Sequence, residues 1–300
     1  MSDRVRIVDP HHHLWDLTRH RYAWLQTEPL DTGPDGDVAP IAHDYLLADY
    51  LDDTRAYELA KSVHVQCGWS EPDPAGETQW LQSIADVHGF PHGIVAYAAL
   101  NERDVEPVLA RHREFANVRG IRQILNWHPD PRKTYLSRPD MMLDAAWLRG
   151  FRLLKKYRLS FDLQLYPSQM ADAASLAARH PDQPMILNHA GMPVDRDPEG
   201  IELWRRGMRA LSACENVSVK ISGLSIGDRS WTVAAIRPFI LEAIDVFGVG
   251  RVMFASNFPV DKLHSSFATL YTAFEDVLAA FSPIERHKMF SANAERFYDL

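Results

Sequence analysis

Two hydrophobic periods alternate along the chain. Short apolar runs bounded by turn residues occur at VRIVD (5–9), KSVHVQCG (61–68), HGIVAYAAL (92–100), VRGIRQIL (118–125), LSFDLQLY (159–166), PMILNHAG (184–191), NVSVKISGL (216–224) and RVMFASNFP (251–259), and each reads as a strand. Every gap between them holds a segment with helical spacing, among them ETQWLQSIADVH, MLDAAWLRGFRLLKKY, IELWRRGMRALSAC and TVAAIRPFILEAIDVFG. After the last run come two more helical stretches, the second opening on Ser282 and Pro283, an N-cap and N1 pair.

Strands that alternate with helices pair in parallel through right-handed crossovers. Eight such units predict an α/β fold of the (β/α)8 TIM-barrel type. The rival architecture, an open doubly wound sheet, lacks the Gly-rich phosphate-binding turn expected at its switch point. At 300 residues the chain suits one barrel domain spanning 1–300. The irregular stretch from about 16 to 43, with TEPLDTGPDGDVAP, is too long for a plain connection and reads as a rim or lid insertion.

The formal net charge of −8 disfavours nucleic acid and anionic membranes as partners, although local arginines could still receive a small anion. The two cysteines, Cys67 and Cys214, lie in apolar surroundings and read as buried thiols in a reducing compartment. With no leader-like start and no apolar run long enough to span a bilayer, the expected location is the cytoplasm.

In a barrel of this kind chemistry sits at the C-terminal ends of the strands, and there polar residues interrupt the apolar runs. His11 and His13 follow the first run, Gln66 ends the second, Arg122 and Gln164 lie in the fourth and fifth, His189 ends the sixth, Lys220 and Ser222 lie in the seventh, and Asn257 ends the eighth. The triple histidine of DPHHHLWD sits inside a folded pattern rather than outside it, which argues against a purification tag. Because side chains alternate along an extended segment, His11 and His13 share a face and His12 points away, as a structural residue. With His189 arriving from another strand, the pair could bind a divalent metal such as zinc or polarise a carbonyl. Arg122 and Lys220 need anionic partners, structural or substrate, and Trp127 and His128 after the fourth run could line a pocket. Ser222 and Ser256 lack the turn of a nucleophile elbow, and no Walker loop or paired CxxC occurs.

Taken together, VDPHHHLWD, HVQCG, RGIRQIL, ILNHAGMP, VKISGL and MFASNFPVD resemble, in order, the amidohydrolase-related family of the amidohydrolase superfamily, the branch with 2-pyrone-4,6-dicarboxylate lactonase, fuconolactonase and 4-sulfomuconolactone hydrolase. The resemblance runs from residue 9 to 261. It implies a (β/α)8 fold and hydrolysis of the ring ester of a small organic or sugar acid, with one divalent metal or none. It also implies that His11, His13 and His189 are the site histidines and that Arg122 holds a substrate carboxylate. One departure stands out: the eighth strand reads AlaSerAsnPhePro, so Asn257 occupies the place of the family's aspartate. An amide cannot take a proton near neutral pH and is a weaker metal ligand. Asp261 and His189 are then the candidate bases, with Asn257 orienting a water.

The expected function is a hydrolase that opens a lactone, probing an anionic small molecule with Arg122, Gln66, Lys220, Trp127 and His128. A metal-dependent decarboxylase on the same fold, and a barrel that binds a metabolite without turning it over, are the alternatives.

Overall fold

The structure, a computed structural model, describes residues 4–30, 33–34, 36–226, 228 and 230–300; residues 31, 32 and 35 of the expected rim insertion lie outside the described residues. The eight apolar runs form strands β1 (Arg6–His12), β2 (Glu58–Val65), β3 (Gly93–Tyr97), β4 (Val118–Arg122), β5 (Ser160–Leu163), β6 (Met185–Leu187), β7 (Val217–Ile221) and β8 (Val252–Phe254). Each pairs in parallel with the next in chain order. The sheet closes just past β8, where Phe258 bridges His12, Asn257 N–H donates to the His11 carbonyl at 2.8 Å and His13 N–H donates to the Phe258 carbonyl at 2.7 Å. The fold is the expected (β/α)8 barrel.

Local chemistry starts the surrounding helices where the sequence indicates. Asp144 accepts from Ala146 and Trp147 N–H to cap the helix Ala145–Lys156, and Thr232 and Ser266 cap Val233–Phe247 and Phe267–Val277. Ser282 and Glu285 form a capping box ahead of Pro283–His287. Each such cap contributes about 1 kcal/mol.

Two apolar layers sandwich the strands. Alternate residues such as Ile7, Ile121, Leu187 and Ile221 face the helices, whereas Val8, Val63, Val65, Val95, Ile186 and Met253 pack together with Ala294 and Tyr298 of the terminal helix Asn293–Tyr298. That helix closes the end of the barrel where the strands begin, as Lys61 Nζ donates to the Leu300 carbonyl at 2.6 Å. Above this plug sits a charged layer. Lys220 Nζ reaches Asp162 Oδ2 at 2.6 Å with both side chains fully buried, and the Tyr298 hydroxyl donates to the same carboxylate at 2.8 Å. Removing either ion alone would cost about 3–5 kcal/mol, since it strands the other charge in the interior. Cys67 is buried and Cys214 partly so, and both are free thiols. Among the described residues no helix is long and apolar enough to cross a membrane.

Candidate active site

Beyond the last laddered residue of each strand the chain turns into the barrel mouth, and the polar ends of the apolar runs meet there. Asp9 fastens the two halves of this junction. Its Oδ1 accepts from Ser256 N–H at 2.9 Å, while its Oδ2 accepts from the Ser256 hydroxyl at 2.6 Å and the Tyr50 hydroxyl at 2.8 Å. The carboxylate thus ties β1 to the segment after β8, the two pieces that carry His11, His13 and Asn257.

The three histidines at the end of β1 and just past it separate as alternation requires. His12 stacks on Tyr50 with ring centroids 4.0 Å apart, and its Nε2 meets Ser62 Oγ at 3.0 Å behind the barrel wall. His11 and His13 lie together, centroids 5.0 Å apart, and His189 comes within 4.6 Å of His11. All three are buried. Burial, followed by the positive charges of Lys220 for His11 and of Arg122 for His13 and His189, holds each ring well below the usual histidine pKa. The imidazoles are neutral at neutral pH.

His13 has an assignable tautomer. Its Nδ1 lies 2.7 Å from the Val65 carbonyl, which can only accept, so Nδ1 carries the proton and Nε2 keeps a lone pair. That lone pair faces Asn257 Oδ1 at 3.3 Å. The amide cannot turn to donate instead, because its Nδ2 already donates to Asp261 Oδ1 at 2.9 Å. Asp261 Oδ2 in turn accepts from Gly223 N–H at 3.2 Å, and the residue is fully buried and does not line the cavity.

Backbone strain concentrates at these positions. Asn257 has φ 57° and, in the turn after β6, His189, Ala190 and Met192 have φ 54°, 50° and 49°. Left-handed conformations are costly for residues other than glycine and asparagine, and they collect where a side chain must be aimed. Gly223, itself at φ 60°, clears the space for His189: a Cβ there would come 2.9 Å from Nδ1 of the ring. That nitrogen meets the Ser222 hydroxyl at 3.0 Å.

Arg122 projects from the end of β4 into the same space. It donates to Gln164 Oε1 at 2.7 Å and to the Gln66 carbonyl, and among the described residues no carboxylate pairs with it and its buried Nε has no hydrogen-bond partner. Burial lowers its pKa to about 10, still far above neutrality. A guanidinium without a carboxylate partner among the described residues therefore sits in the wall of a cavity of about 360 Å³ lined by His13, His189, Asn257 and Gln164.

Other expected residues lie elsewhere. Lys220 is committed to Asp162 below the cavity, and Gln66 is turned back to accept from Gly68 N–H at 3.0 Å. His128 meets Asp195 Oδ2 at 2.9 Å and, like Trp127, is not in the lining. Tyr135, further along the loop that carries them, does line the cavity, as do Trp24 and Val38 from the stretch 16–43. Sequence reasoning passed over Met192 and Ile226, which complete an apolar side; the φ-strained turn that places Met192 leaves no periodic signal.

The histidines fit a metal only in part. Both ring nitrogens of His11 are buried without partners among the described residues, and His13 Nε2 and Asn257 Oδ1 have the spacing of two ligands on one ion. Yet His11, His13 and His189 do not bring three donor atoms within 4.8 Å of one another.

The amidohydrolase family profile matches residues 8–300. The chain belongs to the amidohydrolase family. The amidohydrolase is 48% identical over 298 residues, 99% of each chain, to the uncharacterized protein y4mH of Sinorhizobium fredii. It is 27% identical to an L-fucono-1,5-lactonase of Burkholderia multivorans, covering 98% of this chain and 96% of that one. An amidohydrolase from Burkholderia multivorans solved with bound zinc superposes with a TM-score of 0.82 at 26% identity, over 99% of this chain and 100% of that one. The protein is a hydrolase of this family.

Proposed function

We propose that this amidohydrolase opens the ring ester of a small organic or sugar acid, with His13 and Asn257 holding the attacking water. The observation that carries the reading is the 3.3 Å between His13 Nε2 and Asn257 Oδ1 at the cavity wall. Two fixed acceptors receive both hydrogens of one water and leave its oxygen lone pair free to attack a carbonyl carbon. His13, neutral because it is buried, takes the proton as the carbon–oxygen bond forms. Asp261 acts through Asn257, holding the amide so that its oxygen and not its nitrogen faces the water.

The carbonyl oxygen becomes an oxyanion beside His189, a neutral ring in the cavity lining that carries one N–H donor, with His11 packed behind it. Losing one such donor costs about 3 kcal/mol in the barrier. Collapse breaks the ring C–O bond, and the leaving alkoxide recovers the proton from His13, giving the open hydroxy acid. The Arg122 guanidinium, which lines the cavity, attracts a carboxylate of the ligand by its charge. Zinc, if held by His13 and Asn257, would occupy the His13 Nε2 lone pair and would supply Lewis acidity to the water in place of the base. The relative named L-fucono-1,5-lactonase supports a lactone as the substrate class.

A pH-stat assay with L-fucono-1,5-lactone, other aldonolactones and carboxylated lactones, with and without chelator, tests the reading. It expects saturable acid release with one of them. Saturable binding with no product over hours would instead make the barrel a binding protein, and release of carbon dioxide with the ring intact would make it a decarboxylase.

A further inference from the structure

Behind the wall that carries His13 lies a second group of donors that the lactone reading does not use. His64 is the penultimate residue of β2, and it alternates with Val63 and Val65, which face the barrel interior. Its side chain therefore points towards the helix layer. Cys67 follows two residues after the strand, and Glu77 is the second residue of the helix Gly76–His88. All three are buried, and one ring nitrogen of His64, Cys67 Sγ and a Glu77 oxygen lie within 4.8 Å of one another. Among the described residues this is the one such set of three histidine, cysteine or carboxylate donors.

We propose that His64, Cys67 and Glu77 form a zinc site that pins the end of β2 to the following helix, separate from the histidine cluster in the cavity. Cys67 Sγ is 3.2 Å from Glu77 Oε1, close to the separation of two ligands at the corners of a zinc tetrahedron. His64 Nε2 lies 3.4 Å from the Leu14 carbonyl, which can only accept. In the metal-free chain the proton therefore sits on Nε2, and Nδ1 is buried without a hydrogen-bond partner among the described residues. The buried Tyr22 hydroxyl, beside both Cys67 and Glu77, offers an oxygen for the fourth corner.

Charge and chemistry select the ion. A thiolate and a carboxylate neutralise a dication inside an apolar shell, and sulfur with imidazole favours zinc over magnesium or calcium. Cys67 also lines the cavity, which gives an ion a way in. Bound there, zinc cross-links the chain after β1, the end of β2 and the helix behind them. His13 leans on the same region through the Val65 carbonyl, so the site acts on the position of His13 and not on the reaction itself.

The proposal stands whether or not the lactone assay succeeds, and it is tested by absorption rather than turnover. The full chain is purified without chelator or nickel resin, stripped and titrated with cobalt(II). The chain has two cysteines, so the variants Cys67→Ser and Cys214→Ser assign any thiolate ligand. The expected result is a near-ultraviolet thiolate-to-cobalt charge-transfer band in the wild type, kept in Cys214→Ser and His11→Ala and lost in Cys67→Ser. Native zinc content should fall by one equivalent per chain in Glu77→Gln. Absence of the band in the cobalt-loaded wild type, or its loss in Cys214→Ser, overturns the proposal, and both results can be read even if Cys67→Ser does not fold.

Discussion

Asn257 donates to Asp261 through its amide nitrogen at 2.9 Å, which fixes the amide oxygen towards His13. Asn257, at the place where the resemblance expects an aspartate, thus has a buried carboxyl group of its own behind it. Asn257→Asp would set two carboxylates against each other, and two acids this close cannot both ionise. We expect the single variant to lose about 1–3 kcal/mol of stability when stripped of metal, through the lost hydrogen bond and the repulsion. The double variant Asn257→Asp/Asp261→Asn should recover most of that loss in urea melts. Additive losses in the double variant would show that the two side chains do not act as a pair.

Gly223 tests the aiming of His189. Alanine there adds a Cβ 2.9 Å from His189 Nδ1 and keeps a backbone φ of 60° that alanine disfavours. Turnover should fall by up to roughly a hundredfold, because misplacing a positioned group by about an ångström can cost that much. KM should change little, and circular dichroism should show a folded barrel. Full activity in Gly223→Ala would mean that His189 has no part in the reaction.

Arg122→Lys separates binding from chemistry. Lysine keeps the charge but loses the fork that spans Gln164 and the Gln66 carbonyl. For a carboxylated lactone KM should rise at least about tenfold, with a smaller rise for a neutral one. An equal rise for both would remove the carboxylate from the account.

The pH dependence has a definite sign. His112 is held neutral by burial, its pKa lowered to about 4, while its Nδ1 meets Thr78 and its Nε2 donates to the Tyr97 carbonyl. Unfolded, the same ring takes a proton near its ordinary pKa of 6.5. The unfolded state therefore binds more protons below that point, and stability present above pH 6.5 is lost as the pH falls towards 4. The loss from this residue alone reaches about 3 kcal/mol, and His12, lowered by burial in the same direction, adds to it. Melting temperatures that stay level from pH 7 to pH 4 would contradict this.

The barrel was legible because its two periods were: runs such as NVSVKISGL and segments such as IELWRRGMRALSAC differ in spacing for physical reasons that survive in one sequence. The expected runs overshoot the ladders, most clearly at RVMFASNFP, where only Val252–Phe254 is paired as a strand. That excess is the site. Backbone beyond Phe254 bonds to side chains and to β1, as Ser256 does to Asp9, and apolar spacing does not record such partners. Alternation was enough to place His11 and His13 together and His12 apart. It could not show that Lys220 is spent on Asp162, or that Asp261 stands behind Asn257, because both depend on neighbours from distant strands and loops.

Ring opening of a turned-over lactone by wild type and His13→Ala, followed at neutral pH with the metal content of both proteins matched, bears most directly on the water held at His13 and Asn257. A fall in kcat of at least about a hundredfold with KM nearly unchanged is the predicted result, as for the loss of a group that moves a proton in the transition state. Equal kcat in the two proteins would contradict it.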